Sequence, residues 1–118
     1  MRTVIITAAV VVAGVASAQD GKNAAIKAVA DVTAAAPYCG FEVNRDAIEK
    51  YLTERGVSRS RPADAEALER AFYQAGSGWR VTGSVYGKGK PQFDAPCQQA
   101  ESAFGPQGTI RSGLIRLK

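Results

Sequence analysis

The two cysteines are the residues most capable of chemistry in this chain of 118, and no histidine accompanies them. Cys39 and Cys97 stand far apart without the CxxC spacing of a redox motif or metal knuckle. In an exported chain an even pair reads as one structural disulfide. Closing a loop of that length removes roughly 4 kcal/mol of unfolded-state entropy, a large share of a small domain's stability. Without histidine, Ser/His/Asp and Cys/His nucleophile arrangements and histidine metal sites are excluded. No GxxxxGK(S/T) phosphate-cradling loop is present, and the glycines between 76 and 89 do not follow a predicted strand and open a helix. Carboxylates for glycoside chemistry exist, but Asp46, Glu49, Glu54, Asp64, Glu66 and Glu69 fall where helix surfaces or caps place them. The reading is a non-enzyme with no cofactor and no metal.

Two segments carry binding potential. The first holds Trp79, Arg80, Tyr86, Lys88 and Lys90, where cations interleave with aromatics and suit an anionic or stacking ligand. The other reading of the same residues is that Trp79 and Tyr86 cover an open side of the fold while the lysines keep the segment soluble. The second is the tail from Thr109, in which Ile110, Leu114, Ile115 and Leu117 are interspersed with Arg111, Arg116 and Lys118. It either docks as an amphipathic segment or returns Ile110, Leu114 and Leu117 to the core, which a small domain needs.

Helices must position these groups. Ala25, Val29, Val32 and Ala36 give one apolar face over 20–36, with Pro37 ending the helix. Asn44 is a good N-cap for a helix over 44–55, with Val43 and Ile48 spaced as a hydrophobic staple. Ile48, Tyr51 and Leu52 form its inner face, Asp46 and Lys50 pair outside, and Gly56 is the stop. A third helix is expected from Pro62 to Ala75, with Leu68, Ala71, Phe72 and Ala75 inside and Gly76 ending it. The glycines and Pro91 predict a long Gly-rich loop over 76–93, within which a brief hairpin of Trp79-Arg80-Val81 and Ser84-Val85-Tyr86 is one option. A fourth helix is expected over 95–104, capped by Asp94 and facing Cys97, Ala100 and Phe104 inward. The fold class is therefore mainly α, a small four-helix unit with one disulfide and a long Gly-rich loop before the last helix.

The first eighteen residues read as a signal peptide: Arg2, an uncharged run from Val4 to Val15, and the small-x-small triplet Ala16-Ser17-Ala18. The run is too short to cross a bilayer as a helix. An uncleaved anchor or a buried N-terminal helix is the competing reading. The expected organisation is a signal peptide over 1–18, a disulfide-clamped helical domain over 19–106 and a basic-apolar tail over 107–118. Localisation is expected to be periplasmic or secreted, with no integral membrane segment after signal removal.

The chain carries 15 Lys and Arg against 11 Asp and Glu. Arg80, Lys88, Lys90, Arg111, Arg116 and Lys118 outweigh Asp94 and Glu101 in the last third. In an exported protein that surplus points away from nucleic acid and toward an anionic envelope component or an acidic protein surface. Cys39 after the first helix, Cys97 in the last and the Gly113-Leu114-Ile115 ending give an arrangement that resembles small exported two-cysteine helical bacterial proteins. In size, helicity and single disulfide it is also similar to the acid-stress periplasmic chaperones of the HdeA type, though no residue aligns. Two functions are expected to compete: a non-catalytic module binding an envelope or protein partner, and a chaperone that opens in acid as its carboxylates protonate.

Overall fold

A computed structural model describes residues 2–117, with side chains from Gln19 onward. The signal peptide expected over 1–18 thus falls outside the residues whose side chains are described. The chain is mainly helical: α1 (Arg2–Cys39), α2 (Arg45–Glu54), α3 (Pro62–Val85) and α4 (Pro91–Phe104). Two short strands, β1 (Phe41–Val43) and β2 (Ile115–Leu117), complete the described residues.

The central element is α1, which packs on α2, α3, α4 and β1. Its Ala25, Val29 and Val32 are almost fully buried, the face that the apolar spacing implies. The helix does not stop at Ala36 but runs through Pro37 to Cys39. Proline here forfeits only one backbone bond, in the last turn, where little helix remains to disrupt. Gly40 then adopts φ +77, and its N–H closes on the Ala36 carbonyl at 2.9 Å.

Both ends of α2 follow their local sequence. The Asn44 side chain accepts from the Ala47 N–H at 3.2 Å. At the other end Gly56 has φ +78. Its N–H donates to the Thr53 carbonyl at 3.0 Å, and the Val57 N–H donates to Leu52 at 2.9 Å. These paired bonds form a Schellman stop, with Val57 and Leu52 buried in the same cluster. Ile48, Tyr51 and Leu52 are the buried face. Asp46 and Lys50 form no ion pair; Glu49 instead grips Arg59 of the following connector through two 2.8 Å bonds.

The expected break at Gly76 does not occur. α3 continues to Val85, because Leu68, Phe72, Ala75, Trp79 and Thr82 keep helical spacing straight across the glycines. No hairpin forms. Gly83 is required by contact: a Cβ there would lie 2.7 Å from Cε1 of Tyr38. The long Gly-rich loop shrinks to residues 86–90, since α4 begins at Pro91 rather than Ala95. Asp94 does not occupy the N-cap position, which is Lys90; its carboxylate accepts from the Gly89 N–H at 3.1 Å. Phe93, expected in the loop, is buried.

The tail forms a strand. β2 pairs antiparallel with β1, matching Phe41 to Leu117, Glu42 to Arg116 and Val43 to Ile115. The Asn44 N–H adds a bond to the Leu114 carbonyl at 2.8 Å. Leu114 and Ile115 are fully buried, whereas Ile110 and Leu117 remain 63% and 55% exposed. The core therefore takes Leu114 and Ile115, where the segment joins β1, and not the expected Ile110 and Leu117. Strand alternation puts Leu117 on the same face as Ile115, but it stands at the outer end of the ladder. Cys39 and Cys97 are bonded with their Cα atoms 5.5 Å apart, joining the end of α1 to α4. Among the described residues no helix is long and apolar enough to cross a membrane.

Candidate functional site: a groove between three helices

Helices α3 and α4 are joined by a short turn, and both lie on α1 but touch each other little. The wedge between them is a groove of about 850 Å³. Its floor comes from Ile26, Ala30, Val32 and Ala35 of α1, with Phe104 of α4 at one end and Trp79 of α3 at the other. The walls are made of small residues: Ala67, Ala71, Ala75 and Gly78 on α3 face Ala100 and Ala103 on α4. Side chains this short cannot fill the space between diverging helices, so the cleft stays open. Polar groups sit on the lining as well, among them Asn23, Lys27, Asp31, Arg70 and Gln99.

The five residues expected to bind fall in two places. Trp79 lines the groove, stacked on Tyr38 with centroids 5.5 Å apart and edge-on to Phe93 at 5.7 Å. It packs against the core cluster and also lines the cleft, whereas Tyr86, expected to cover the fold beside it, is exposed. Arg80, Tyr86, Lys88 and Lys90 are exposed and lie outside the groove lining. The Arg80 guanidinium donates to Ser77 Oγ at 3.0 Å. Lys88 stands in the 86–90 turn and Lys90 caps α4. Residue type alone did not single out the groove. Its one signal was the recurrence of small residues at 67, 71, 75 and 78, which the expected end of α3 at Ala75 cut short.

Charged clusters elsewhere are engaged by the fold itself. Asp64, only 5% exposed, accepts from the Ser58 N–H at 2.9 Å, Lys22 Nζ at 3.0 Å and Arg61 Nη1 at 3.2 Å. The Ser58 N–H first, and then Lys22, hold its carboxyl below the usual carboxylate range. Glu54 receives Arg111 through bonds of 3.0 and 2.6 Å, which lowers the Glu54 pKa and raises that of Arg111. Arg111 and Arg55 also lie over the buried Tyr51 ring, at 5.2 and 5.3 Å. Arg59 likewise holds Glu49 below its ordinary value. Part of the basic surplus in the last third is therefore neutralised: Arg111 by Glu54, and Arg116 by Glu42 at 3.9 Å. Among the described residues no cluster of three metal-capable side chains occurs.

Fold and site together define a small disulfide-linked helical protein with a mostly apolar groove between three helices. No family model, no curated protein and no solved structure matches the chain.

Proposed function

We propose that this chain is an exported, non-catalytic helical module that binds an envelope component, with the groove between α1, α3 and α4 as its binding surface. The observation that carries the reading is the groove itself: preformed, mostly apolar, and edged by a few polar groups. The chain has no histidine, its cysteines are bonded to each other, and its least exposed carboxylate is saturated by Ser58, Lys22 and Arg61. These features support binding over catalysis. The signal-like first eighteen residues support export, and the disulfide is in keeping with an oxidising compartment.

The test is recovery from envelope extract by immobilised protein, with Gly78→Leu as the control. Gly78 lines the cleft and a Cβ there meets nothing within 4 Å, so the backbone position accepts a side chain whose bulk narrows the groove. Material retained by the wild type and lost from Gly78→Leu supports the reading. Equal recovery by both, or none, removes it.

One observation favours a second reading, the acid-activated chaperone. Three ties between separate elements each depend on a carboxylate: Glu49 to Arg59, Glu54 to Arg111, and Asp64 to Lys22. Acid would loosen the connector, the tail segment and the α1–α3 contact together. Suppression of client aggregation at about pH 2–3 supports this reading, and its absence there removes it.

A further inference from the structure

We propose that the groove binds a long-chain fatty carboxylate, with its hydrocarbon chain on the apolar floor toward Trp79 and its carboxylate at Arg70. This inference rests on the reading of the groove as the binding surface and specifies the ligand.

Size selects a small molecule. A volume of about 850 Å³ falls within the roughly 300–1,000 Å³ of small-molecule sites. Length and direction select a chain. The Lys22–Asp64 pair and the Tyr38–Trp79 stack lie at opposite ends of the α1–α3 contact, so the two helices run parallel. The groove follows them from the Lys27 and Arg70 end to Trp79 and Thr82. From Arg70 to Thr82 the helix axis advances about 18 Å, the reach of an extended sixteen-carbon chain.

Charge selects the head group. The ionisable side chains lining the groove are Lys27, Asp31 and Arg70. Lys27 Nζ and Asp31 Oδ2 satisfy each other at 2.7 Å. Arg70 makes no ion pair among the described residues, not even with Glu66 one turn earlier. Arg70, an exposed residue of the lining, is therefore the one ionisable side chain there without a charged partner among the described residues, and its planar fork matches a carboxylate in two parallel hydrogen bonds. Desolvation of the chain supplies the affinity, and Arg70 supplies the preference for an anion over a neutral amphiphile.

Trp79 is the sole tryptophan and lines the cleft, so its emission reports occupancy. Full-length protein is titrated with palmitate and, separately, with hexadecanol, both below their aggregation concentrations. Palmitate is expected to shift Trp79 emission saturably and to bind about five-fold more tightly than hexadecanol, the size of one partly solvated ion pair. Arg70→Gln should erase that difference by weakening palmitate alone, and Gly78→Leu should abolish both shifts with an unchanged far-ultraviolet CD spectrum. Equal binding of the two amphiphiles, or indifference of palmitate to Arg70→Gln, overturns the carboxylate assignment. A palmitate shift that survives in Gly78→Leu overturns the location. No palmitate response, with groove-dependent capture from envelope extract intact, overturns the ligand class and leaves the binding reading standing; loss of both removes the two together.

Discussion

The rings of Tyr38 and Trp79 stack 5.5 Å apart at an interplanar angle of 20°, tying the last turn of α1 to the second half of α3. Phe93 meets the same indole edge-on and brings in the first turn of α4. Three helices thus converge on Trp79 at the end of the molecule that the disulfide also clamps. Trp79→Ala is expected to lower unfolding stability by about 2–4 kcal/mol, below the largest aromatic deletions because the ring is part-exposed. Trp79→Phe should recover much of that loss. Urea unfolding followed by far-ultraviolet CD measures both.

Two glycines of α3 should respond to the same substitution with opposite signs. Gly78→Ala places its methyl in open space and should raise stability by about 0.5–1 kcal/mol through helix propensity. Gly83→Ala drives a methyl to 2.7 Å from the Tyr38 ring and should lower stability by about 1–3 kcal/mol. Thermal unfolding of the two variants side by side checks the pair.

Reduction of Cys39–Cys97, or a Cys39→Ser/Cys97→Ser double variant, is expected to cost about 4 kcal/mol in the chain-entropy account. The bonded residues are 58 apart in sequence, so the loop released is long. Denaturation with and without dithiothreitol measures the difference, and the double variant should be insensitive to the reductant.

In the C-terminal segment, burial sets the outcome. Leu114→Ala, at a fully buried position, should cost about 2–5 kcal/mol. Ile110→Ser and Leu117→Ser, at positions more than half exposed, should each fall within about 0.5 kcal/mol of the wild type. Comparable losses at all three positions would contradict the burial pattern of this segment.

Stability should drain in acid. Glu49, Glu54 and Asp64 all have pKa values lowered by their partners in the fold, so the native state binds fewer protons than the unfolded chain. Their contribution is complete above the usual carboxylate range, near pH 4, and is lost as pH falls through the lower folded values. Urea midpoints should therefore be flat from about pH 7 to 5 and fall below about pH 4. Asp64→Asn should flatten that acid limb, and a midpoint indifferent to pH down to about 2 would contradict the arrangement.

Features that rest on neighbouring residues are legible in the sequence itself. The Asn44 cap, the Gly56 stop and the inward face of Ile48, Tyr51 and Leu52 depend on contacts within a turn or two of helix, which spacing encodes. The cysteine pair is legible because an even count without redox or metal spacing leaves few alternatives. Elsewhere, long-range contact overrides a local signal. Gly76 marks a helix end by propensity, yet about 1 kcal/mol of glycine cost is outweighed when Trp79 packs on Tyr38 and Phe93 beyond it. The tail's choice of Leu114 and Ile115 over Ile110 and Leu117 requires β1 as a partner some seventy residues away. Pro37 departs for a local reason instead, since its lost bond lies in a final turn.

The groove belongs wholly to the long-range kind. Ala71, Ala75, Gly78, Ala100 and Ala103 are ordinary in composition, and nothing local distinguishes a small residue that lets two helices touch from one that leaves them apart. Only the placement of α3 and α4 on α1 turns those positions into a cleft, with Arg70 toward one end and Trp79 at the other. The two cysteines alone specified a covalent link between the first helix and the last. What that link encloses was decided by packing, because a void is a property of several surfaces at once and of no single stretch of chain.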